Sequence, residues 1–108
     1  MKKGIIVAFV LVIGFIALLP SFIGIYLDDR ATYYLNHRHY KEAIVYYNKV
    51  IALNDKYFIL LERDDSFYYW FIGEACSGLK EHETAINYYK KALGLIEKIS
   101  DKIGRAHV

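Results

Sequence analysis

Apolar positions follow two different patterns along this chain. From Ile5 to Leu27 no charged residue interrupts the run, which is bracketed by Lys2-Lys3 and by Asp28-Asp29-Arg30. A helix that is apolar all round is buried either in protein or in lipid. At about 1.5 Å per residue the run reaches roughly 35 Å, enough to cross a hydrocarbon core of about 30 Å with some tilt. A secretory signal has an apolar region of only about 7–15 residues and a small-x-small cleavage site. Here the small residues Ala17, Ser21 and Gly24 have Phe15, Leu19 and Phe22 two places before them. An uncleaved anchor is therefore expected over residues 1–27. Pro20 would kink such a helix without forbidding it, because neighbouring groups re-satisfy the freed carbonyl.

Beyond the anchor the pattern becomes periodic. Ala43, Ile44, Tyr47, Val50 and Ile51 follow the spacing of one apolar helix face, with Lys41, Glu42, Asn48 and Lys49 mainly off it. A later helix repeats that face with Ile86, Tyr89, Leu93 and Ile96. The repetition extends to residue identity: Ala43, Ile44, Tyr46, Tyr47, Lys49 and Leu53 recur as Ala85, Ile86, Tyr88, Tyr89, Lys91 and Leu95, always 42 positions later. Asn54-Asp55 reads as a turn. Tyr57 to Leu61 is apolar without period and reads as a lead-in to the next helix, or as a membrane or partner contact; Asp64, Asp65 or Ser66 suits that helix's N-cap. The pattern predicts an all-α chain.

The segment from Tyr69 to Leu95 carries small residues at Gly73, Ala75, Ala85 and Ala92, with aromatics between them. Small residues at those intervals let two antiparallel helices approach closely, and Ala85 is expected opposite Gly73 as the contact least open to enlargement. This spacing resembles the tetratricopeptide repeat, a helix–turn–helix unit of about 34 residues. Tyr69 falls where the family usually has Trp, Ile72 on its Leu, Gly73 on its Gly, Ala85 on its first Ala, Tyr89 on its aromatic and Ala92 on its second Ala. Cys76 replaces an aromatic, and Glu97 stands where the family's Pro ends the repeat. An earlier copy places Ala31 at the Gly position, Tyr34 at the aromatic and Val50 at the second Ala, with Leu27 and Arg30 as poor matches. The resemblance implies an α-solenoid fragment that binds segments of other proteins along the first helix of each repeat. The implied groove positions are Phe67, Trp70, Glu74, Ser77 and Gly78, with Asp28, Thr32 and Leu35 in the first copy. Aromatic and acidic residues there argue against the family's carboxylate-gripping mode; Phe67 and Trp70 fit either an apolar or helical ligand or cover by Tyr57 to Leu61 of the same chain. The packing positions are Ala43, Tyr47, Gly73, Ala85, Tyr89 and Ala92.

Composition narrows the chemistry. A net charge of +2 without a Lys/Arg run gives no argument for a nucleic-acid partner. The single cysteine, Cys76, cannot form an internal disulfide and sits at a packing position. His37 and His39 flank Arg38 in a turn and His82 is far along the chain, so no ligand spacing for a metal is completed. Glu62, Asp64 and Asp65 lack the spacing and glycine of a calcium loop. There is no phosphate-binding loop or nucleophile motif; no catalytic residue, cofactor or metal is expected.

The organisation expected is an anchor (1–27), a degenerate repeat (28–55), an apolar insert (56–66) and a better repeat with an extended last helix (67–102). Residues 103–108, IGRAHV, resemble one reading frame of a sequencing adapter, which suggests a longer gene product with further repeats or another domain. The short basic tail resembles a bacterial signal-anchor, with the repeats outside the cytoplasm. The function expected is a membrane-anchored scaffold for protein–protein interaction. The alternatives are the adaptor part of a longer enzyme or transport accessory, and a small membrane protein whose repeats only dimerise it.

Overall fold

The computed structural model describes residues 2–57 and 64–106. It contains four helices in chain order: α1 (Lys2–Asn36), α2 (Tyr40–Lys56), α3 (Asp65–Gly78) and α4 (His82–Ala106). Helix α1 packs on α2, α2 on α3 and α3 on α4, so each helix lies beside its neighbours in sequence. Among the described residues there is no strand. The apolar insert lies outside the described residues except for its edges: Lys56 ends α2, Tyr57 is its C-cap, and Asp64 is the N-cap of α3.

Helix α1 runs without interruption from the lysine pair, past Pro20 and through Arg30, to the first turn. No break separates the apolar run from the first helix of the first repeat. The two inter-helix turns are copies of one another. Arg38 and Lys80, 42 positions apart, both adopt left-handed backbone with φ of 63° and 64°. In each turn the next residue's N–H reaches back five residues, His39 to the Tyr34 carbonyl at 2.8 Å and Glu81 to the Cys76 carbonyl at 2.9 Å. These are Schellman closures, which usually place glycine at the left-handed position.

Packing explains why the two copies, 42 residues apart, tolerate differences. In the first repeat Tyr34 stacks on Tyr46, with ring centroids 5.4 Å apart. In the second, the residue equivalent to Tyr34 is Cys76, and the ring that stacks on Tyr88 comes from Tyr69, at 6.2 Å. Tyr69 in turn occupies the position held by Leu27 in the first repeat. The aromatic partner has moved seven residues, two turns back along the first helix of the repeat, and the stack is preserved. Between repeats, Tyr47 is fully buried and stacks on Phe71 at 5.4 Å, with the buried Tyr68 at 6.0 Å. Its hydroxyl shares a hydrogen bond with Thr32 at 3.2 Å.

Three sequence expectations are corrected. Asn54-Asp55 is not a turn, because α2 continues through Lys56. Asn54 instead donates from Nδ2 to Asp65 Oδ1 at 3.0 Å, pinning the end of α2 to the start of α3; its turn-like polarity serves a tertiary contact. The group facing Gly73 is the ring of Tyr89 rather than Ala85: a Cβ built on Gly73 would stand 2.8 Å from Tyr89 Cε1. Finally, the stripe Ile86, Leu93 and Ile96 is about half exposed, whereas Ile51, the counterpart of Leu93, is 7% exposed. Helix α3 covers that stripe on α2, and no described helix follows α4 to cover the copy. The face of α4 that packs on α3 carries Ala85 and Ala92, both buried, with Tyr88, Tyr89 and Leu95 half-buried.

Candidate functional site

Helix α3 presents Phe67 and Trp70 one turn apart near its N-terminus. The side chain of Asp64 caps that terminus by accepting from the Ser66 backbone N–H at 3.0 Å. Phe67 is 51% and Trp70 42% exposed. The indole of Trp70 lies against Tyr89 of α4 with centroids 4.6 Å apart, and its Nε1–H donates to Glu74 Oε1 at 3.1 Å. Trp70 is thus held on one side by a ring and at its polar edge by a carboxylate, with its remaining surface open to solvent.

Where α4 outruns α3, Ile96 and Ile99 complete an open groove of about 420 Å³ with Asp64, Ser66, Phe67 and Trp70. Of the eight groove positions named from the sequence, Phe67 and Trp70 line this groove. Glu74 touches it only through the Trp70 indole, and Ser77 is exposed further along α3. Ile96 and Ile99 were legible only as continuations of an apolar stripe. Their role depends on how far α4 projects past the start of α3, which periodicity does not report.

The other expected groove positions are engaged differently. Thr32 bonds Tyr47, and Leu35 packs half-buried against the core; Asp28 is half-buried. Gly78 lies under the ring of Tyr40, which a Cβ would strike, so it belongs to the α2–α3 contact. The packing positions Ala43, Tyr47, Gly73, Ala85 and Ala92 are buried and Tyr89 half-buried.

Two groups where α3 meets α4 are pushed towards their neutral forms. Burial, and then the charge of Glu81, push the Cys76 thiol above its ordinary range. Burial, followed by Glu74 and Cys76, does the same for the Tyr89 hydroxyl. A reactive cysteine needs a depressed pKa and access; Cys76 is 2% exposed. His37 is exposed in the first turn, stacked on Tyr33 at 4.1 Å and donating from Nδ1 to the Tyr33 carbonyl at 2.7 Å. Among the described residues no three His, Cys, Asp or Glu side chains are grouped to hold a metal ion. What the groove can do is bind, through apolar area edged by two acidic residues.

Paired antiparallel helices repeated at a fixed interval, closed by identical turns and packed in sequence order, define an α-helical repeat protein. The family model for the tetratricopeptide repeat matches residues 26–57 and again 68–99. The two matches span more than half of the chain, which belongs to the tetratricopeptide repeat family. They begin 42 positions apart, the interval seen in the sequence, and the first begins inside α1. No curated protein and no solved structure gives a significant match. Repeats of this family mediate protein–protein interaction. Helix α1 is, by length and composition, the one described helix able to cross a membrane.

Proposed function

We propose that this chain is a membrane-anchored scaffold whose second repeat grips an apolar or amphipathic helical segment of a partner protein. The observation that carries the reading is the open apolar groove formed by Phe67, Trp70, Ile96 and Ile99. Exposed contiguous apolar surface is uncommon where nothing binds, and a helix laid in a groove by its apolar face is a recurring mode of peptide recognition. Asp64 and Glu74 at the rim favour a ligand with basic flanking residues. Family repeats supply the general role, and no reaction is assigned.

The anchor is the apolar run of α1, residues 5–27, most of which crosses the bilayer while Leu27 packs against the repeat core. Lys2, Lys3 and the amino terminus on one side are matched by Arg30, Arg38 and Lys41 on the other. The reading of a cytoplasmic N-terminus, with the repeats on the outer side of a bacterial inner membrane, therefore rests on the resemblance of the short lysine-bearing tail to a bacterial signal-anchor. A reporter active only outside the cytoplasm, fused after Leu95, would be active in this orientation and silent in the opposite one.

The protein carries its own probe of binding, since Trp70 is its one tryptophan. Full chain in detergent micelles would be titrated with amphipathic helical peptides bearing basic flanks, following Trp70 emission. Binding should shift the emission to the blue as the indole leaves water. With dye-labelled peptide as a second readout, Trp70→Ala should weaken affinity about tenfold or more, as expected of a central aromatic anchor. Unchanged affinity in Trp70→Ala, with helicity intact, would remove the groove from the reading.

A further inference from the structure

The position of α2 along α1 sets how close the repeats stand to the bilayer. Two contacts fix the register of the antiparallel pair: Thr32 with Tyr47, and Tyr34 with Tyr46. Carried along both helices at their common rise, this register sets Lys56, the last residue of α2, level with Ile23 and Gly24. Ser21 and Gly24 are buried and Ala31 fully so, while every large apolar residue from Ile5 to Leu19 is at least 42% exposed. The projecting part of α1 therefore ends within a turn of the level where α2 ends.

That projecting part matches a bilayer closely. Lys2 and Lys3 require the headgroup region on the far side. From Gly4 a helix needs about 30 Å, or roughly twenty residues, to cross the hydrocarbon, and this count is reached at Ile23. Shifting α1 further into the bilayer to bury Ile25 and Tyr26, which are 46% and 58% exposed, draws the end of α2 deeper. Shifting it the other way pulls Lys2 and Lys3 into hydrocarbon. Deeper insertion is also limited by α4, whose charged end, with exposed Lys98, Asp101 and Lys102, runs past the start of α3 towards the same surface, so Lys56 and Tyr57 stand at the phosphate level.

We infer that the end of α2, through Lys56 and Tyr57, is a lipid-headgroup contact that seats the repeats directly on the membrane surface. The inference rests on the reading of α1 as a membrane-spanning helix and adds a second lipid-binding element to it. Its residues suit the place. Tyr57 is 44% exposed, and the Lys56 ammonium lies 5.5 Å from the centre of its ring. A tyrosine with an apolar body and a polar tip, beside a lysine that extends its amine towards phosphate, is the pairing found at membrane–water boundaries. Because α2 and α3 are joined at this end, the turns at Arg38 and Lys80 lie at the opposite end, facing water.

Nitroxide labels on single cysteines would measure the depths directly. The full-length chain with Cys76→Ala would be placed in vesicles of phosphatidylethanolamine and phosphatidylglycerol, with Ile13→Cys, Lys56→Cys, Tyr57→Cys and Lys80→Cys labelled in turn. Collision with oxygen and with a water-soluble nickel chelate gives each depth. Expected are a deep label at 13, labels at 56 and 57 near the phosphate plane, and an aqueous label at 80. A deep label at 13 with 56 and 57 as accessible to nickel as 80 would overturn the surface contact and leave the anchor standing. An aqueous label at 13 would overturn both. Helicity of each labelled protein, checked by circular dichroism, keeps a folding defect apart from a change of depth.

Discussion

Replacing Gly73 by alanine adds one methyl group where α3 meets the Tyr89 ring of α4. The new Cβ would stand 2.8 Å from Tyr89 Cε1 and 2.9 Å from Cδ1, well inside ordinary carbon–carbon contact. The ring has little room to yield, because Trp70 lies on it with centroids 4.6 Å apart. Overpacking of this kind costs about 1–3 kcal/mol. Against that, alanine in place of a mid-helix glycine returns about 1 kcal/mol. The net expectation for Gly73→Ala is a loss of about 0–2 kcal/mol. The sign should reverse once the obstacle is gone: in a Tyr89→Ala background the same change should stabilise by about 1 kcal/mol, since only the helix preference remains. The coupling between the two sites is then about 1–3 kcal/mol. Urea unfolding in micelles, followed by Trp70 fluorescence and by circular dichroism, would give all four corners of the cycle. Equal effects of Gly73→Ala in both backgrounds would refute the claim that Tyr89 is what demands a glycine.

Further outcomes follow from the turns and from the buried thiol. Lys80→Gly should stabilise by up to about 1 kcal/mol, since it relieves a left-handed backbone held by a residue with a Cβ; a lower melting temperature would mean that the Lys80 side chain matters more than its backbone. Cys76 and Tyr89 both have folded pKa values raised by burial above ordinary values of 9.0 and 10.0. Their neutral forms are favoured in the fold, so this part of the stability is full below pH 9.0 and falls as pH rises through those values towards the folded ones. Urea midpoints from pH 7 upwards should decline from about pH 9, and Cys76→Ala should remove the earlier part of the decline; a flat profile would contradict the burial of both groups.

The helices and their pairing were legible in the sequence because both repeats write the same face twice, 42 positions apart. Ala43 and Ala85, Tyr47 and Tyr89, Val50 and Ala92 mark the approach of neighbouring helices whatever else surrounds them. The turn at Arg38 was legible only from its place between two helix faces. Neither turn carries glycine at its left-handed position, so the usual local sign is missing in both. Asn54-Asp55 misled for a related reason: a polar pair signals a turn only when its hydrogen bonds are local, and Asn54 spends its amide on Asp65. Phe67 and Trp70 were readable as exposed positions on α3, but Ile96 and Ile99 were not readable as their neighbours.

That last difference separates what periodicity encodes from what it does not. An apolar stripe records that a face can be covered, and the same stripe has two fates here. On α2, Ile51 is 7% exposed because α3 lies over it, while on α4 its counterpart Leu93 is 51% exposed. Helix α3 could not cover both, since its other flank already packs on Ala85 and Tyr89. Helix α4 also projects beyond the N-terminus of α3, which brings Ile96 and Ile99 beside Phe67 and Trp70 and opens a groove instead of closing a core. The groove is thus the product of unequal helix lengths, 14 residues for α3 against 25 for α4, acting on a stripe that the first repeat uses for packing.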